Sequence, residues 1–550
     1  MLTQADSYDE VYRSLKWQVP EFFNMGVEVC DRQADADPGL TALIYENSNG
    51  DITQYSFQAL KLLSNKLANL FQAKGLKPGG RVGILLPQSV ETGIAHVAAW
   101  KAGLISIPLF TLFGPDALQF RLKDSGARAL VTDIENLGKI ESIRDTLPDL
   151  DVVLVNDAEK NGVGMVDFWS TLESASDTFT PLRTRAEDPS FISYTSGTTG
   201  NPKGTLHAHR TLLGHLPGVE FPHEFFPQAG DLMWTPADWA WMGGLMDCLM
   251  TAWYHGVPVL AHRALKYDPE DAVRLMARHQ VRNTFMPPTA LRLMRHVEKP
   301  AERFGINLRT VACAGEPMGA ELLDWGREAL GVTFNEFYGQ TECNLVTSNC
   351  GQLMEVRPGS MGRAVPGHRV EIIDFDGNIL GPEEEGLIAV KSPDPVMFLG
   401  YWNNAQATRD KYLGDWLVTG DRGTKDEDEY FWFLGREDDV ITSAGYRIGP
   451  GEIEDCLVRH PAISLAAAIG VPDPLRTEKI KAFILLWPGH TGDKDLKKDI
   501  LDFVNRRLSP HEKPRIIEFV DQLPLTATGK IKRKDLRDAE IAKQQDPEAQ

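Results

Sequence analysis

The chain has 550 residues, 42% of them hydrophobic and 24% charged, with a formal net charge of -20. That length exceeds one ordinary hydrophobic core, so two or more folding units are expected and general disorder is excluded. An acidic surface disfavours nucleic acid and anionic lipid headgroups, and a polyanionic substrate would need its own local Lys or Arg residues.

The N-terminus, MLTQADSYDEVYRSLKW, lacks the basic start and apolar run of a secretory signal, so a soluble cytoplasmic protein is expected. From Arg81 the sequence runs RVGILLP, QSVETGIAHVAAWKAG and LISIPLF, which predicts strand, helix and strand; ARALVTD (127–133) and DVVLVND (151–157) continue the short apolar runs. The pattern returns at GVPVLA (256–261), a helix over Pro269–His279 and the run NTFMPPT. Such alternation predicts largely parallel sheets covered by helices. The weakly charged stretch Trp241–Ala261 is long enough to span a membrane. It is broken by Gly243, Gly244, Gly256 and Pro258 and carries Asp247 and His255, so a buried core segment is expected instead.

After about residue 360, turns become dense at DFDGN (374–378), GPEEEG (381–386) and DEDEY (426–430), which predicts antiparallel or barrel-like structure. Past residue 438 a smaller unit begins: EIEDCLVRH and DLKKDILDFVNRRL read as helices, SLAAAIGV and KIKAFILLW as strands, and the last residues as a frayed end. The fold class expected is α/β, a large N-terminal domain (1–437) of parallel-rich sheets with helices plus a small β-barrel-like part, followed by a small mobile α+β domain (438–550). The six cysteines, Cys30, Cys248, Cys313, Cys343, Cys350 and Cys456, show no metal-ligand or redox spacing and read as structural thiols.

The segment with most chemical content is YTSGTTGNPKG (194–204). Glycines expose backbone N–H groups, Thr195, Ser196, Thr198 and Thr199 add hydroxyl donors, and Lys203 adds a charge, a set suited to a polyphosphate. It is not the G-x-x-x-x-G-K-[ST] loop, because Pro202 stands where that pattern needs glycine. The segment resembles the phosphate-loop signature of the adenylate-forming superfamily of acyl-CoA synthetases, luciferases and peptide-synthetase adenylation domains. Further motifs follow in that family's order over nearly the whole chain: AGEPM (314–318), EFYGQTE (336–342), TGD (419–421), GREDDVITSAGYRIGPGEIE (435–454) and PLTATGKIKR (524–533).

The resemblance implies ATP or AMP contacts from Thr195, Ser196, Gly197, Thr198, Thr199, Gly200, Lys203, Gly315, Glu316, Pro317, Glu336, Phe337, Tyr338, Gly339, Gln340, Thr341, Asp421, Arg436 and Lys530. Within that set Lys530, Thr199 and Glu342 would be catalytic, Glu342 would help hold Mg²⁺, and Asp421 would bind the ribose. Asp438 would be a hinge. After rotation about it Ala444, Gly445, Tyr446 and Arg447 would contact coenzyme A, with Arg476 and Arg515 as further candidates. On local chemistry alone, Lys530 in KIKRK also reads as a surface lysine, Asp421 and Arg436 as turn or salt-bridge residues, and Arg476 and Arg515 as surface arginines.

Several stretches, among them PEFFNMGVEVCD, ADWAW and RPGSMGR, are similar to medium-chain acyl-CoA synthetases, which implies an acyl site near Trp239, Trp241, Met242, Ala314 and Gly339; Trp239, Trp241 and Met242 equally suit a plain core. Acetyl-CoA synthetases carry Trp where this chain has Gly339, so acids longer than acetate (short-branched, medium-chain or aryl) are expected. The resemblance thus implies an AMP- and pyrophosphate-forming acid–CoA ligase using ATP, Mg²⁺ and coenzyme A, with acetylation of Lys530 as a conceivable off-switch. Transfer to a carrier-protein thiol and a catalytically silent nucleotide- or acyl-binding protein are the alternatives. Oligomeric state is open at this level.

Overall fold

The computed structural model describes residues 2–156, 165–195, 202–264, 267–315, 318–436, 439, 441–443, 446–473, 477–508, 512–526 and 530–545. The chain divides into two compact units, Met1–Val370 with Val390–Asp415, and Glu371–Ala389 with Trp416–Gln550.

The first unit is built on two large sheets. In one, the strands run in the order Gly400–Tyr401, Lys203–Ala208, Pro189–Thr195, Ile105–Pro108, Arg81–Leu85, Ala129–Asp133, Val152–Asn156 and Met165–Asp167. Pairing is parallel from Pro189–Thr195 through Met165–Asp167, and antiparallel from Pro189–Thr195 to Lys203–Ala208 and on to Gly400–Tyr401. The other has nine strands: Arg363–Ala364, Cys343–Ser348, Phe334–Gln340, Thr310–Cys313, Asn283–Phe285, Met233–Trp234, Val259–His262, Thr41–Glu46 and Ile52–Ser56. Its centre is parallel and both ends are antiparallel. The parallel layers match the apolar runs; the antiparallel pairs Pro189–Thr195 with Lys203–Ala208 and Phe334–Gln340 with Cys343–Ser348, which the runs alone do not reveal, carry two of the motif segments.

Helix Val90–Lys101 is buried along its whole length, so it lacks the solvent-facing polar side of a surface helix. Its charged residues are met locally: Glu91 accepts from the Trp169 indole N–H (3.0 Å), and the Lys101 ammonium pairs with Asp31 and donates to Ser64 Oγ (2.9 Å) and Asn65 Oδ1 (3.0 Å). Helix Pro269–His279 lies where the sequence placed it, with Asp268 accepting from the N–H groups of Glu270 and Asp271. The stretch Trp241–Ala261 is core: a buried π-type helix Gly243–Met250, a turn of helix Thr251–Tyr254 and the strand Val259–His262. Among the described residues no helix is long and apolar enough to cross a membrane.

The second unit holds a small sheet with Val370–Ile373, Gly386–Lys391 and Trp416–Lys425 in order and Phe431–Arg436 antiparallel to Trp416–Lys425, in the turn-dense region expected to be barrel-like. Its other sheet runs Tyr446–Ile448, Ile441–Ser443, Thr477–Leu486 and Ile463–Asp473, with Ile516–Phe519 parallel to Thr477–Leu486, and carries helices Pro450–Val458, Lys494–Asn505 and Arg533–Gln545. That is the α+β tail read from the sequence.

Candidate functional site

The hydroxyl- and glycine-rich segment is set between the two strands of an antiparallel hairpin. Thr195 and Lys203 are its closing pair, and Thr195 Oγ1 donates to the Lys203 carbonyl at 3.3 Å. Ser196, Gly197, Thr198, Thr199 and Gly200 lie outside the described residues. The hairpin's base is anchored by Tyr194, whose hydroxyl donates to Asp124 Oδ2 (2.7 Å); burial and that carboxylate push the phenol's pKa upward. Gly204 is wedged between Ile192, Trp402 and Tyr194, and a Cβ there would come within 2.8 Å of Ile192. The Lys203 ammonium sits over the Tyr401 ring, 5.2 Å from its centroid.

A second hairpin, Phe334–Gln340 with Cys343–Ser348, holds EFYGQTE. Glu336 is buried and accepts from the Met318 N–H at 3.2 Å. Gly315 has φ +101°, a left-handed value that suits glycine; Glu316 and Pro317 lie outside the described residues. Phe337 packs on Phe285 (5.4 Å between centroids), which packs on Trp241 (5.7 Å), and Trp239, Met242, Ala314 and Phe337 share one core cluster. The structure therefore links one acyl-wall candidate, Trp241, to the motif aromatic Phe337 through Phe285. The Trp239 indole N–H is buried and meets no partner among the described residues. Gln340 accepts from Lys411 Nζ at 3.2 Å, and Tyr338 and Thr341 are half-buried at the hairpin's end.

Gly339 falls in the bulge between Tyr338 and Gln340. A Cβ there would lie 2.9 Å from the Leu345 N and Cα and 3.0 Å from the Asn344 Cα. The glycine thus has a local cause, close approach of the return strand, besides any effect on pocket depth.

Glu342 is only 8% exposed, and its carboxylate accepts from the Tyr401 hydroxyl. Two residues on, Asn344 Nδ2 donates to Asp247 Oδ1 (2.7 Å) and lies 3.2 Å from His215 Nε2. Burial pushes the Asp247 carboxyl up to about 8 and the His215 imidazole down to about 4, so both are neutral near pH 7. Among the described residues no group of three or more His, Cys, Asp or Glu could hold a metal ion.

In the second unit Asp421 and Arg436 are cross-strand neighbours, with Nε to Oδ1 at 3.9 Å, and the Asp421 N–H donates to Thr419 Oγ1 (3.1 Å). Lys530 is exposed on a small loop closed by its own N–H to Thr526 Oγ1 (3.0 Å) and by the Thr526 N–H to its carbonyl (2.7 Å). Arg515 is exposed, its N–H donating to the Ile480 carbonyl at 2.8 Å. Asp438, Ala444, Gly445 and Arg476 lie outside the described residues, as do the side chains of Tyr446 and Arg447.

The family model described as AMP-binding enzyme matches residues 30–402, and that described as AMP-binding enzyme C-terminal domain matches residues 452–530. The chain belongs to the AMP-binding enzyme family. The mitochondrial acyl-coenzyme A synthetase ACSM4 of Homo sapiens is 35% identical over 98% of this chain and 94% of its own length. The mitochondrial acyl-coenzyme A synthetase ACSM3 of Rattus norvegicus is 34% identical over 96% and 93%. The crystal structure of the anthranilate CoA ligase AuaEII in complex with anthranoyl-AMP superposes with a TM-score of 0.88 at 30% identity, covering 96% of this chain and 99% of that one. Within the AMP-binding enzyme family, this chain is an AMP-forming acid–CoA ligase, and the silent-binder alternative falls away. The expectation of a cytoplasmic location is overturned by the same relatives, which are mitochondrial proteins. That expectation rested on the missing secretory pattern. Six buried free cysteines suit any reducing compartment and do not distinguish one from another.

Proposed function

We propose that this AMP-binding enzyme uses ATP to activate a carboxylic acid longer than acetate, medium-chain or aryl, and passes the acyl group to coenzyme A. The observation that carries the reading is that one hairpin holds both parts of the chemistry. Phe285 packs with both Phe337 of the hairpin and Trp241, rings suited to border an apolar acyl or aryl group, while Glu342 is a buried carboxylate a few residues after Phe337.

In the first step an oxygen of the substrate carboxylate attacks the α-phosphorus and pyrophosphate leaves. Both reactants are anions, so cations aimed at the developing charge lower the barrier. Lys203 and Lys530 supply two. Glu342 fits Mg²⁺: it is a hard oxygen donor with one carboxylate oxygen engaged by Tyr401, and a lone protein carboxylate suits an ion that completes its shell with water and phosphate oxygens. When bound, the ion adds positive charge against the phosphoryl oxygens. Asp421, held by Thr419 and facing Arg436, takes the ribose hydroxyls. In the second step the coenzyme A thiol attacks the acyl carbon and AMP leaves. In this reading residues 438–550 are the mobile part, Asp438 the hinge, and 444–447 with Arg476 and Arg515 serve coenzyme A. Acetylation of Lys530 would remove its charge and block the first step.

The test is release of pyrophosphate and AMP with ATP, Mg²⁺ and acids from acetate to decanoate plus benzoate and isobutyrate, each with and without coenzyme A. Turnover that needs coenzyme A and is greatest beyond acetate is expected. Adenylate formed without coenzyme A-dependent turnover would instead indicate a carrier-protein thiol as acceptor.

A further inference from the structure

The short strand Gly400–Tyr401 lies against both hairpins of the site. It pairs antiparallel with Lys203–Ala208, Tyr401 opposite Thr205, and the Leu399 and Trp402 N–H groups donate to the carbonyls of Leu206 and Gly204, each at 2.7 Å. On the other side the Phe398 N–H donates to the Glu342 carbonyl (2.9 Å), and Met397 forms a bridge with Cys343. Tyr401 itself is fixed by its N–H to Thr408 Oγ1 (2.8 Å) and by an edge contact with Phe398, 5.1 Å between centroids. From this pinned position its hydroxyl reaches the Glu342 carboxylate and its ring carries the Lys203 ammonium.

We propose that Tyr401 is a positioning residue for the adenylation step, orienting the Glu342 carboxylate for a divalent cation and seating Lys203 through its ring. The proposal rests on the reading of Glu342 as the metal carboxylate. A carboxylate that is 8% exposed has little water to hold it, so the hydroxyl fixes which oxygen is turned away and left for the ion. The ring attracts the ammonium by its quadrupole without neutralising it, which leaves the full charge for phosphate. One side chain thus couples the Glu342 carboxylate, the reading's metal ligand, to the Lys203 ammonium, which lies far from it along the chain.

The experiment measures binding of α,β-methylene-ATP by calorimetry, with and without Mg²⁺, in the wild type, Tyr401→Phe, Tyr401→Leu and Glu342→Gln. Loss of an oriented partner to a metal ligand typically weakens metal affinity by about 10–100-fold. Tyr401→Phe is expected to lose most of the gain in affinity that Mg²⁺ brings while binding the Mg²⁺-free nucleotide as the wild type does, because the ring under Lys203 is kept. Tyr401→Leu should weaken both. Thioester formation from supplied acyl-adenylate, which bypasses the first step, should stay at the wild-type rate in Tyr401→Phe and certifies the fold. A full Mg²⁺ gain in Tyr401→Phe with the gain lost in Glu342→Gln overturns the role of Tyr401 and leaves Glu342 as the ligand. A full gain in Glu342→Gln overturns the reading of Glu342, and the inference with it.

Discussion

At the scale of single residues, the proposed function gives Lys530 a part in one half-reaction only. Its side chain is exposed and its loop is closed by backbone and Thr526 contacts, so replacing it disturbs no core. Lys530→Ala is expected to abolish adenylate formation, measured as pyrophosphate release, and to spare thioester formation from supplied acyl-adenylate. Equal loss of both half-reactions would remove the lysine from its assigned step. Lys530, Glu342 and Asp421 are legible from sequence because each sits in a short contiguous motif. Tyr401 and Phe285 are not. Tyr401 reaches the site through a strand pairing with Thr205, and Phe285 through ring contacts with Trp241 and Phe337, so no local spacing announces either residue. Asp247 is an intermediate case: it stands out as a carboxylate in an apolar stretch, but its partners Asn344 and His215 lie far along the chain.

At the scale of elements, the Phe334–Ser348 hairpin sets how Gly339 is to be read. A methyl there meets backbone rather than flexible side chains, and Leu345 opposite already has φ +138°. Gly339→Ala is therefore expected to cost about 1–3 kcal/mol of stability, the usual range for overpacking. Adenylation should fall because Glu342 shares the hairpin, while the ranking of acids stays as in the wild type. Denaturant midpoints and the acid panel check this together. Wild-type stability with a profile moved toward acetate would make pocket depth the dominant role of the glycine. The same contrast explains which elements were legible. Helix Pro269–His279 announces itself by an Asp-Pro start and an apolar stripe that nothing long-range overrides. The hairpin Pro189–Ala208 does not announce itself in the sequence, because its return strand, KGTLHA, gains its identity from pairing on both sides rather than from alternation. The two-residue strand Met233–Trp234 is too short to carry any period.

At the scale of the whole molecule, the first unit buries histidines that cannot charge while folded. Burial lowers His96, His209 and His223 to about 3 and His215 to about 4, and lowers His207 as well. A group whose folded pKa is depressed gives stability that is present above its unfolded pKa, about 6.5, and lost as pH falls toward the folded value. Buried carboxyls act with the opposite sign: Asp247, lifted to about 8, and Asp238, lifted to about 6, hold protons that the unfolded chain releases above about pH 4. Near pH 5.5 the five histidines outweigh these two carboxyls, so unfolding takes up about three net protons. That slope is worth roughly 4 kcal/mol per pH unit. Asp31 and Glu224, also lifted by burial, trim it further down the scale. Above about pH 7 the unfolded histidines are mostly neutral as well, and Asp247 makes stability decline toward pH 8. Denaturant midpoints should therefore be highest near neutrality and drop steeply between pH 6.5 and 5.5, with the loss in the first unit, which holds all seven of these groups. Calorimetry in buffers of different ionisation enthalpy reads the proton uptake directly. A flat profile from pH 7 to 5.5 would mean that water reaches these imidazoles and that the core around the Pro189–Ala208 hairpin is looser than its packing indicates.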